Sequence, residues 1–133
     1  MRKVDTFNHI FPTAYWDKMI ELAGEYEDLG KRVRSVPMLM DMDERFRVMD
    51  MFDDYQQILS LTAPPLEVMF DKDTAPEMAR IANDGMAEIC QKYPDRFPGF
   101  TASMPMNNPD AAVAETNRVM DGMGALGIQI FTN

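Results

Sequence analysis

The pattern of apolar positions divides the chain into four short strand-like runs with helical segments between them. The helical segments carry apolar residues three and four positions apart, which is the period of an amphipathic helix. The order of elements is therefore β-α-α-β-α-β-α-β, which is typical of parallel strands joined by right-handed crossovers. The predicted strands are Lys3–Ile10, Tyr55–Leu61, Gly99–Met104 and Ile128–Phe131.

Capping residues mark four helix starts. Thr13 follows a proline and opens a helix that is predicted to run to about Asp28. Asp41 and Thr74 each stand three residues before a glutamate, which is the spacing of a capping box. Asn108 precedes a proline in the first helical turn. For the last three helices the spacing predicts apolar faces of Met42, Phe46, Met49 and Phe52, then Met78, Ile81, Ala82, Gly85 and Ile89, and then Val113, Thr116, Met120 and Met123.

This order of elements fits two α/β architectures. With 133 residues the chain makes one domain, 1–133, which is either an open flavodoxin-like sheet or the first half of a (β/α)8 TIM barrel. A half-barrel leaves two sheet edges and the inward strand faces uncovered, and we expect Ile58, Phe100 and Ile128 on those faces. The half-barrel architecture therefore predicts an oligomer or a complex with a larger subunit. A stable monomer would favour the flavodoxin-like sheet instead.

Charge and cysteine content narrow the classes of partner. The 13 basic residues face 22 acidic ones, giving a net charge of -9, which disfavours binding to nucleic acid or to anionic membranes. No apolar run approaches the roughly 20 residues that a membrane-spanning helix needs. Cys90 is the only cysteine and has no partner for an internal disulfide, so a reducing, cytoplasmic location is expected.

The candidate chemistry lies where the strands end, because ligands of parallel α/β folds gather at the carboxyl ends of the strands. His9, the only histidine, stands at the first of these ends, and it is either a metal ligand or an ordinary structural histidine. Asn133 stands at the last and is a candidate substrate contact. Arg32 and Arg34, in the loop beyond the first strand, either grip a carboxylate substrate in bidentate fashion or belong to a solvated loop.

Several stretches together resemble the amino-terminal half of the amidohydrolase-2 family. They are "VDTFNHIFP", "MLMDMDERFRVMDMFDDYQQILSLTAPP" and, most specifically, "YPDRFPGFTASMPMNNPDAAVAE" followed by "GALGIQIFTN". This family includes aminocarboxymuconate-semialdehyde decarboxylase and related aromatic-acid decarboxylases. The resemblance implies a metal-dependent (β/α)8 barrel, usually with zinc or manganese.

The resemblance also implies a role for the first strand end and shows one departure from the family pattern. In that family the first strand ends in His-x-His or Glu-x-His, and both side chains bind the metal. Here the motif is Phe7-Asn8-His9, so His9 matches a ligand position and Phe7 does not. The later family ligands, histidines on strands five and six and an aspartate on strand eight, fall beyond residue 133. Because a catalytic metal needs about three protein ligands, this segment by itself is expected to be inactive.

Three functional hypotheses remain open from the sequence. In the first, the chain is a half-barrel subunit of a metal-dependent decarboxylase or hydrolase for carboxylated aromatic or muconate-like acids, completed by a partner chain. In the second, it is a non-catalytic binding or structural subunit with a degenerate metal site. In the third, it is a fragment of a longer enzyme.

Overall fold

The computed structural model describes residues 1–23, 31, 33 and 35–132, in which four parallel strands form one sheet. The strands lie side by side in the order of the sequence, so each crossover joins neighbours. All three pairings are parallel, as the alternation of strands and helices predicted. The strands are β1 (Lys3–Asp5), β2 (Tyr55–Ser60), β3 (Gly99–Ser103) and β4 (Ala125–Gln129).

β2 and β3 end within one residue of their predicted bounds, whereas the bounds of the other two strands differ by more. β1 stops at Asp5, because the side-chain amide of Asn8 donates to the Ile58 carbonyl over 2.6 Å and replaces a main-chain donor. Pairing with the second strand resumes only as an isolated bridge at Ile10. β4 begins at Ala125 rather than at Ile128, because Gly124 turns the chain with a φ of +74° immediately after the preceding helix.

In the part of the chain that the structure describes, five α-helices and one 3₁₀ turn connect the strands. Asp41 caps its helix as predicted, accepting from the amides of Asp43 and Glu44, and Asn108 does the same for the amide of Ala111. The predicted extension of the first helix to Asp28 lies outside the described residues. The elements are α1 (Thr13–Ala23), the 3₁₀ turn (Pro37–Leu39), α2 (Met42–Met49), α3 (Leu66–Met69), α4 (Ala75–Lys92) and α5 (Pro109–Gly122).

The predicted capping box at Thr74 is wrong. The Thr74 side chain makes no capping hydrogen bond to α4. Instead, the Asp71 carboxylate accepts from the amides of Asp73 and Thr74 over 2.9 Å each, in a turn that precedes the helix. Asp71 thus takes the amide of Thr74, which in a capping box would donate to Glu77, and its charge makes it a strong acceptor.

The predicted inner face of α5 is right for Thr116 and Met123, which are half-buried, and wrong for Val113 and Met120. Val113 and Met120 are exposed, whereas Glu115 and Val119 are buried. Glu115 is buried because it accepts from Asn83 of α4, over 2.8 Å between Asn83 Nδ2 and Glu115 Oε1. The prediction assigned Glu115 to the solvent side because of its hydropathy, and this turned the predicted apolar face away from the face that is buried. On α2, Met49 is buried as expected, but Phe52 lies beyond the helix end and is exposed.

One continuous core joins the sheet to the helices. Leu59 and Phe100 have no exposed surface, and both belong to the same buried cluster as Met78 and Met86 of α4. The expectation that Phe100 lies on an uncovered face is therefore wrong. It is wrong for Ile58 as well, because Ile58 is buried, with only 8% of its surface exposed. Ile128 is exposed as expected. The assignment of Phe100 failed because the strand register fixes which face each residue presents, and one residue's shift reverses it.

Gly85 brings α4 against the start of α1, and we expect its replacement by alanine to destabilise the fold. A β-carbon at Gly85 would lie 2.5 Å from Cβ of Pro12, a rigid ring that cannot rotate away. We expect Gly85→Ala to cost about 1–3 kcal/mol of unfolding free energy, although alanine favours helices. Gly122→Ala is the control, since nothing lies within 4 Å of its new β-carbon. Urea unfolding in which both variants match wild type would contradict this packing.

Candidate functional site

His9 stands just beyond β1, at the carboxyl end of the sheet. The chain immediately after it is held to β2 and the residues that follow β2, because the amide of Ile10 donates to the Ser60 carbonyl over 2.9 Å and the amide of Thr62 donates to the Ile10 carbonyl over 3.3 Å. The imidazole is half-buried, and its Nδ1 lies 2.9 Å from Oγ of Ser60. The position agrees with the prediction that His9 lies among the strand ends.

The hydroxyl of Ser60 determines which nitrogen of His9 carries the proton. Ser60 Oγ donates its hydrogen to the main-chain carbonyl of Asn8 in a short hydrogen bond. Since a hydroxyl has one hydrogen, Ser60 has only lone pairs to offer to His9. Nδ1 must therefore be the protonated nitrogen, and the lone pair of Nε2 is the one available to a metal or a proton.

The charge state of His9 suits a ligand. Burial is the main cause that lowers the pKa of His9 below its ordinary value of 6.5, and the nearby Arg45 cation lowers it further. Asp5 and the main chain of Leu61 oppose this shift but do not reverse it. The imidazole is accordingly neutral at pH 7, and a neutral imidazole binds a divalent cation without first losing a proton.

Arg45 forms a buried clamp behind His9 that sequence reasoning missed. It is 1% exposed, and its guanidinium donates to the carbonyl of His9 and, over 3.2 Å, to Oδ1 of Asn8. It also donates to the carbonyl of Met38 over 2.8 Å and to Oε1 of Gln57 over 2.7 Å. The clamp thus fixes the segment after β1 against α2, the 3₁₀ turn and β2. The only sign of this clamp in the sequence was that Arg45 lies at helical spacing from Met42 and Met49, on the apolar face of α2.

The acceptors around Arg45 are neutral, and its charge is balanced at a distance. Gln57 donates to the Tyr55 hydroxyl over 3.3 Å, and that hydroxyl donates to Oδ2 of Asp5 over 3.0 Å. Burial lowers the pKa of Arg45 to about 10, while Tyr55 and Asp5 raise it. Arg45 therefore stays charged at neutral pH, connected by hydrogen bonds to the carboxylate of Asp5.

Phe7 lies beside His9 but offers no ligand. Its ring is 82% exposed and meets the imidazole edge-on, with 4.9 Å between ring centroids. Across residues 1–23, 31, 33 and 35–132, no group of three or more histidine, cysteine, aspartate or glutamate side chains could hold a metal ion. The described residues thus provide one metal ligand at this strand end, and they do not by themselves form a metal site.

The other predicted site residues are not placed by the structure. Arg32, Arg34 and Asn133 all lie outside the described residues. In the described part of the chain, the polar groups brought together at the carboxyl end of the sheet are those of Asn8, His9, Ser60, Arg45 and Gln57, linked by the hydrogen bonds given above.

Four parallel strands in sequential order, with His9 at their carboxyl ends, define this chain as the first half of a TIM barrel. Among curated proteins, it is 37% identical over 116 residues to the gamma-resorcylate decarboxylase of Rhodococcus jostii, covering 87% of this chain and 30% of that protein. It is 43% identical over 90 residues to the same enzyme of a Rhizobium species, covering 67% of this chain and 27% of that protein. No protein-family model matches the chain.

Solved structures agree with these relatives. The 5-carboxyvanillate decarboxylase of Sphingomonas paucimobilis superposes with a TM-score of 0.82 at 28% identity, covering 99% of this chain and 43% of that one. A dihydroxybenzoic acid decarboxylase of a Polaromonas species, solved with bound manganese and the inhibitor 2-nitroresorcinol, gives a TM-score of 0.74 at 34% identity. This superposition covers 96% of the present chain and 37% of the Polaromonas enzyme.

These matches confirm the resemblance to the amino-terminal half of amidohydrolase-2 decarboxylases, whose fold is the TIM barrel. The chain spans about a third of the length of the curated relatives it matches, at 30% and 27%. Among the described residues, no helix is both long and apolar enough to cross a bilayer.

Proposed function

We propose that this chain is the first half of the barrel of a metal-dependent decarboxylase that acts on a carboxylated aromatic acid. The observation that carries the proposal is His9, held at the carboxyl end of the sheet with Nδ1 protonated and Nε2 free. The relatives support the substrate class, since they are decarboxylases of gamma-resorcylate and of 5-carboxyvanillate. Muconate-like acids, which the sequence also predicted as substrates, remain part of the proposed substrate class.

In this proposal His9 supplies one ligand to a divalent metal through Nε2. Manganese is favoured over zinc, because a solved relative holds manganese. The remaining ligands come from outside the described residues, since a catalytic metal takes about three from the protein. Arg32, Arg34 and Asn133 stay proposed contacts to the substrate carboxylate and its ring substituents. The whole chain, 1–133, is proposed to act as one domain.

The position of the metal is tested by restoring the missing ligand. We expect Phe7→His to raise the affinity of the chain for Mn²⁺ at least about tenfold, because positions 7 and 9 would then offer two imidazoles to one ion. Phe52→His is the matched control, since Phe52 is also an exposed phenylalanine but lies just before β2, at the opposite end of the strands from His9. Manganese affinity is measured by calorimetry. Equal affinities in the two variants, or a gain that survives a second change of His9→Ala, would contradict the proposal.

The activity is tested on the assembled protein, with the chain joined to the rest of the barrel or to its partner subunit. We expect manganese-dependent release of CO₂ from 2,6-dihydroxybenzoate or 5-carboxyvanillate, and His9→Ala should lower kcat/KM at least about 100-fold. Full activity in His9→Ala would remove His9 from the metal site. An assembly that binds no metal and releases no CO₂ would instead support the alternative below.

The alternative is a non-catalytic binding or structural subunit. Phe7 favours it, because an aromatic ring stands where the family has its first ligand. The ring is largely exposed beside His9 and makes an edge contact with it, so it offers a surface for a partner rather than for a cation.

We also propose that the chain associates with another chain, either a second copy or a larger amidohydrolase-like subunit. Both edge strands, β1 and β4, lack a second neighbour in the described sheet. Leu126 and Ile128 are exposed along β4, at 59% and 41%, and Ile130 is exposed just after it, at 54%. An open strand edge with apolar side chains favours association. Sedimentation equilibrium of the chain at micromolar concentration should give a mass above one chain, and a stable monomer would contradict this.

The cytoplasm is the proposed location. Cys90 is half-buried within α4, and burial raises the pKa of its thiol to about 11, which keeps the thiol protonated and unreactive. A single inert thiol is typical of proteins in a reducing compartment.

A further inference from the structure

A second polar site lies at the carboxyl ends of β2, β3 and β4. The loop after β2 folds over the ends of β3 and β4 and closes a small pocket between them. Its walls are apolar and include Pro64, Leu66, Met104 and Phe131. Parallel α/β folds bind their ligands at this end of the sheet, so the pocket lies where a ligand is expected.

Two buried polar atoms line this pocket without partners. Ser103 and Gln129 stand directly opposite each other in the β3–β4 ladder, and both line the pocket. Ser103 is 3% exposed, yet its Oγ has no hydrogen-bond partner among the described residues, and neither does Oε1 of Gln129. Buried polar atoms in native proteins are nearly always paired. Two neighbouring exceptions aimed at one pocket indicate a ligand that supplies the missing hydrogen bonds.

The charge of the pocket selects the kind of ligand. Glu67 is the one ionisable side chain among the residues that line it. The two free groups, a serine hydroxyl and a glutamine amide, are neutral and can each donate or accept a hydrogen bond. A carboxylate entering here would meet a like charge and no cation, whereas a neutral hydroxyl or ether oxygen would find both a donor and an acceptor.

The spacing between this pocket and His9 fits one aromatic ring. Nδ1 of His9 lies 2.9 Å from Oγ of Ser60 in β2, and β3, which carries Ser103, is the neighbouring strand about 4.8 Å away. A metal bound to His9 would add bonds of about 2 Å on each side of the ion. An aromatic acid with its carboxylate on that metal therefore has a ring substituent within reach of Ser103.

We propose that Ser103 and Gln129 form a subsite for one neutral hydroxyl substituent of the aromatic substrate. The subsite rests on the proposed function for its place in the reaction, and it orients the ring, with a hydroxyl in the pocket and the carboxylate outside it.

The chain itself tests this inference, with resorcinol as the neutral probe and benzoate as the charged one. In protein labelled with ¹³C at the methionine methyl groups, resorcinol should shift the signals of Met104 and Met106, which line the pocket, and leave Met19 and Met78 of the core unchanged. We expect Ser103→Ala and Gln129→Leu each to weaken resorcinol binding at least fivefold. Thr101→Val should not, because Thr101 shares the strand with Ser103 but does not line the pocket.

Three results of the resorcinol and benzoate titrations would overturn the inference. They are resorcinol shifts that are absent at millimolar concentration, shifts that persist in both variants, and binding of benzoate as tight as that of resorcinol. A water molecule that alone bridges Ser103 and Gln129 while resorcinol binds elsewhere would overturn it too. Because the assay uses no metal, loss of this subsite leaves the manganese tests at His9 unaffected, and failure at His9 leaves this assay interpretable.

Discussion

Arg45→Met should unfold at a markedly lower urea concentration than wild type, with about 3 kcal/mol less unfolding free energy. Methionine matches the aliphatic stem of arginine but donates no hydrogen bond. The carbonyls of His9 and Met38 and the side-chain oxygen of Gln57 would then be buried without the donor they have now. Leaving a buried acceptor unpaired costs about 1–3 kcal/mol, and the relief from no longer burying a cation offsets part of the sum.

Arg47→Met provides the matched control on the same helix. Arg47 is 64% exposed and pairs only with Glu44, so its loss should leave the urea midpoint close to wild type. If both variants unfold like wild type, the Arg45 clamp contributes no stability. Should Arg45→Met fail to fold, Gln57→Met removes one acceptor of the clamp and keeps the guanidinium, and an intermediate loss of stability is expected.

Asn83→Ala is the second change with a large expected effect, again about 3 kcal/mol of unfolding free energy. Oδ1 of Asn83 accepts from the amide of Ser103 over 2.8 Å, and Nδ2 donates to the Ser103 carbonyl over 3.0 Å and to Glu115 over 2.8 Å. Alanine breaks all three bonds at a position with no exposed surface. It would leave the end of β3 and the buried carboxylate of Glu115 short of partners.

Glu88→Ala on the same helix is the control, since Glu88 is exposed and its loss should leave stability close to wild type. Amide hydrogen exchange adds a local measurement. In Asn83→Ala the amide of Ser103 should exchange faster than in wild type, because its acceptor is gone. Unchanged exchange at Ser103 together with unchanged stability would show that the asparagine is not a support of β3.

Local signals predicted the secondary structure well wherever one side chain decides it. Asp41 and Asn108 cap their helices as expected, because a cap depends on a residue and the amide groups within three positions of it. Thr74 failed for the same reason, since Asp71, three residues earlier, accepts from the Thr74 amide that Glu77 would accept from in a capping box. The strand bounds were shifted where a long-range bond of Asn8 or the turn at Gly124 ended the pairing.

Buried polar residues were the largest omission in the prediction of the site. Arg45, Asn83 and Glu115 are nearly inaccessible to solvent, yet hydropathy assigns their residue types to the surface. Each is buried because its partners lie on other elements, and Glu115 alone was enough to turn the predicted face of α5. No periodicity reports such pairs, since their partners lie on other elements of the fold, as the Asn83–Glu115 bond with its separation of 32 residues shows.

The sequence by itself determined the order of parallel βα units, the resemblance to the amidohydrolase-2 decarboxylases, and His9 and Phe7 as the match and the departure at the first strand end. These depend on local patterns and on motif order, which need no coordinates. Only the tertiary structure decided that Ser60 accepts a hydrogen bond from Nδ1 of His9, that Arg45 clamps the segment behind it, and that Ser103 and Gln129 line one pocket. The reason is physical: hydrogen-bond direction and burial arise when distant strands and helices pack together.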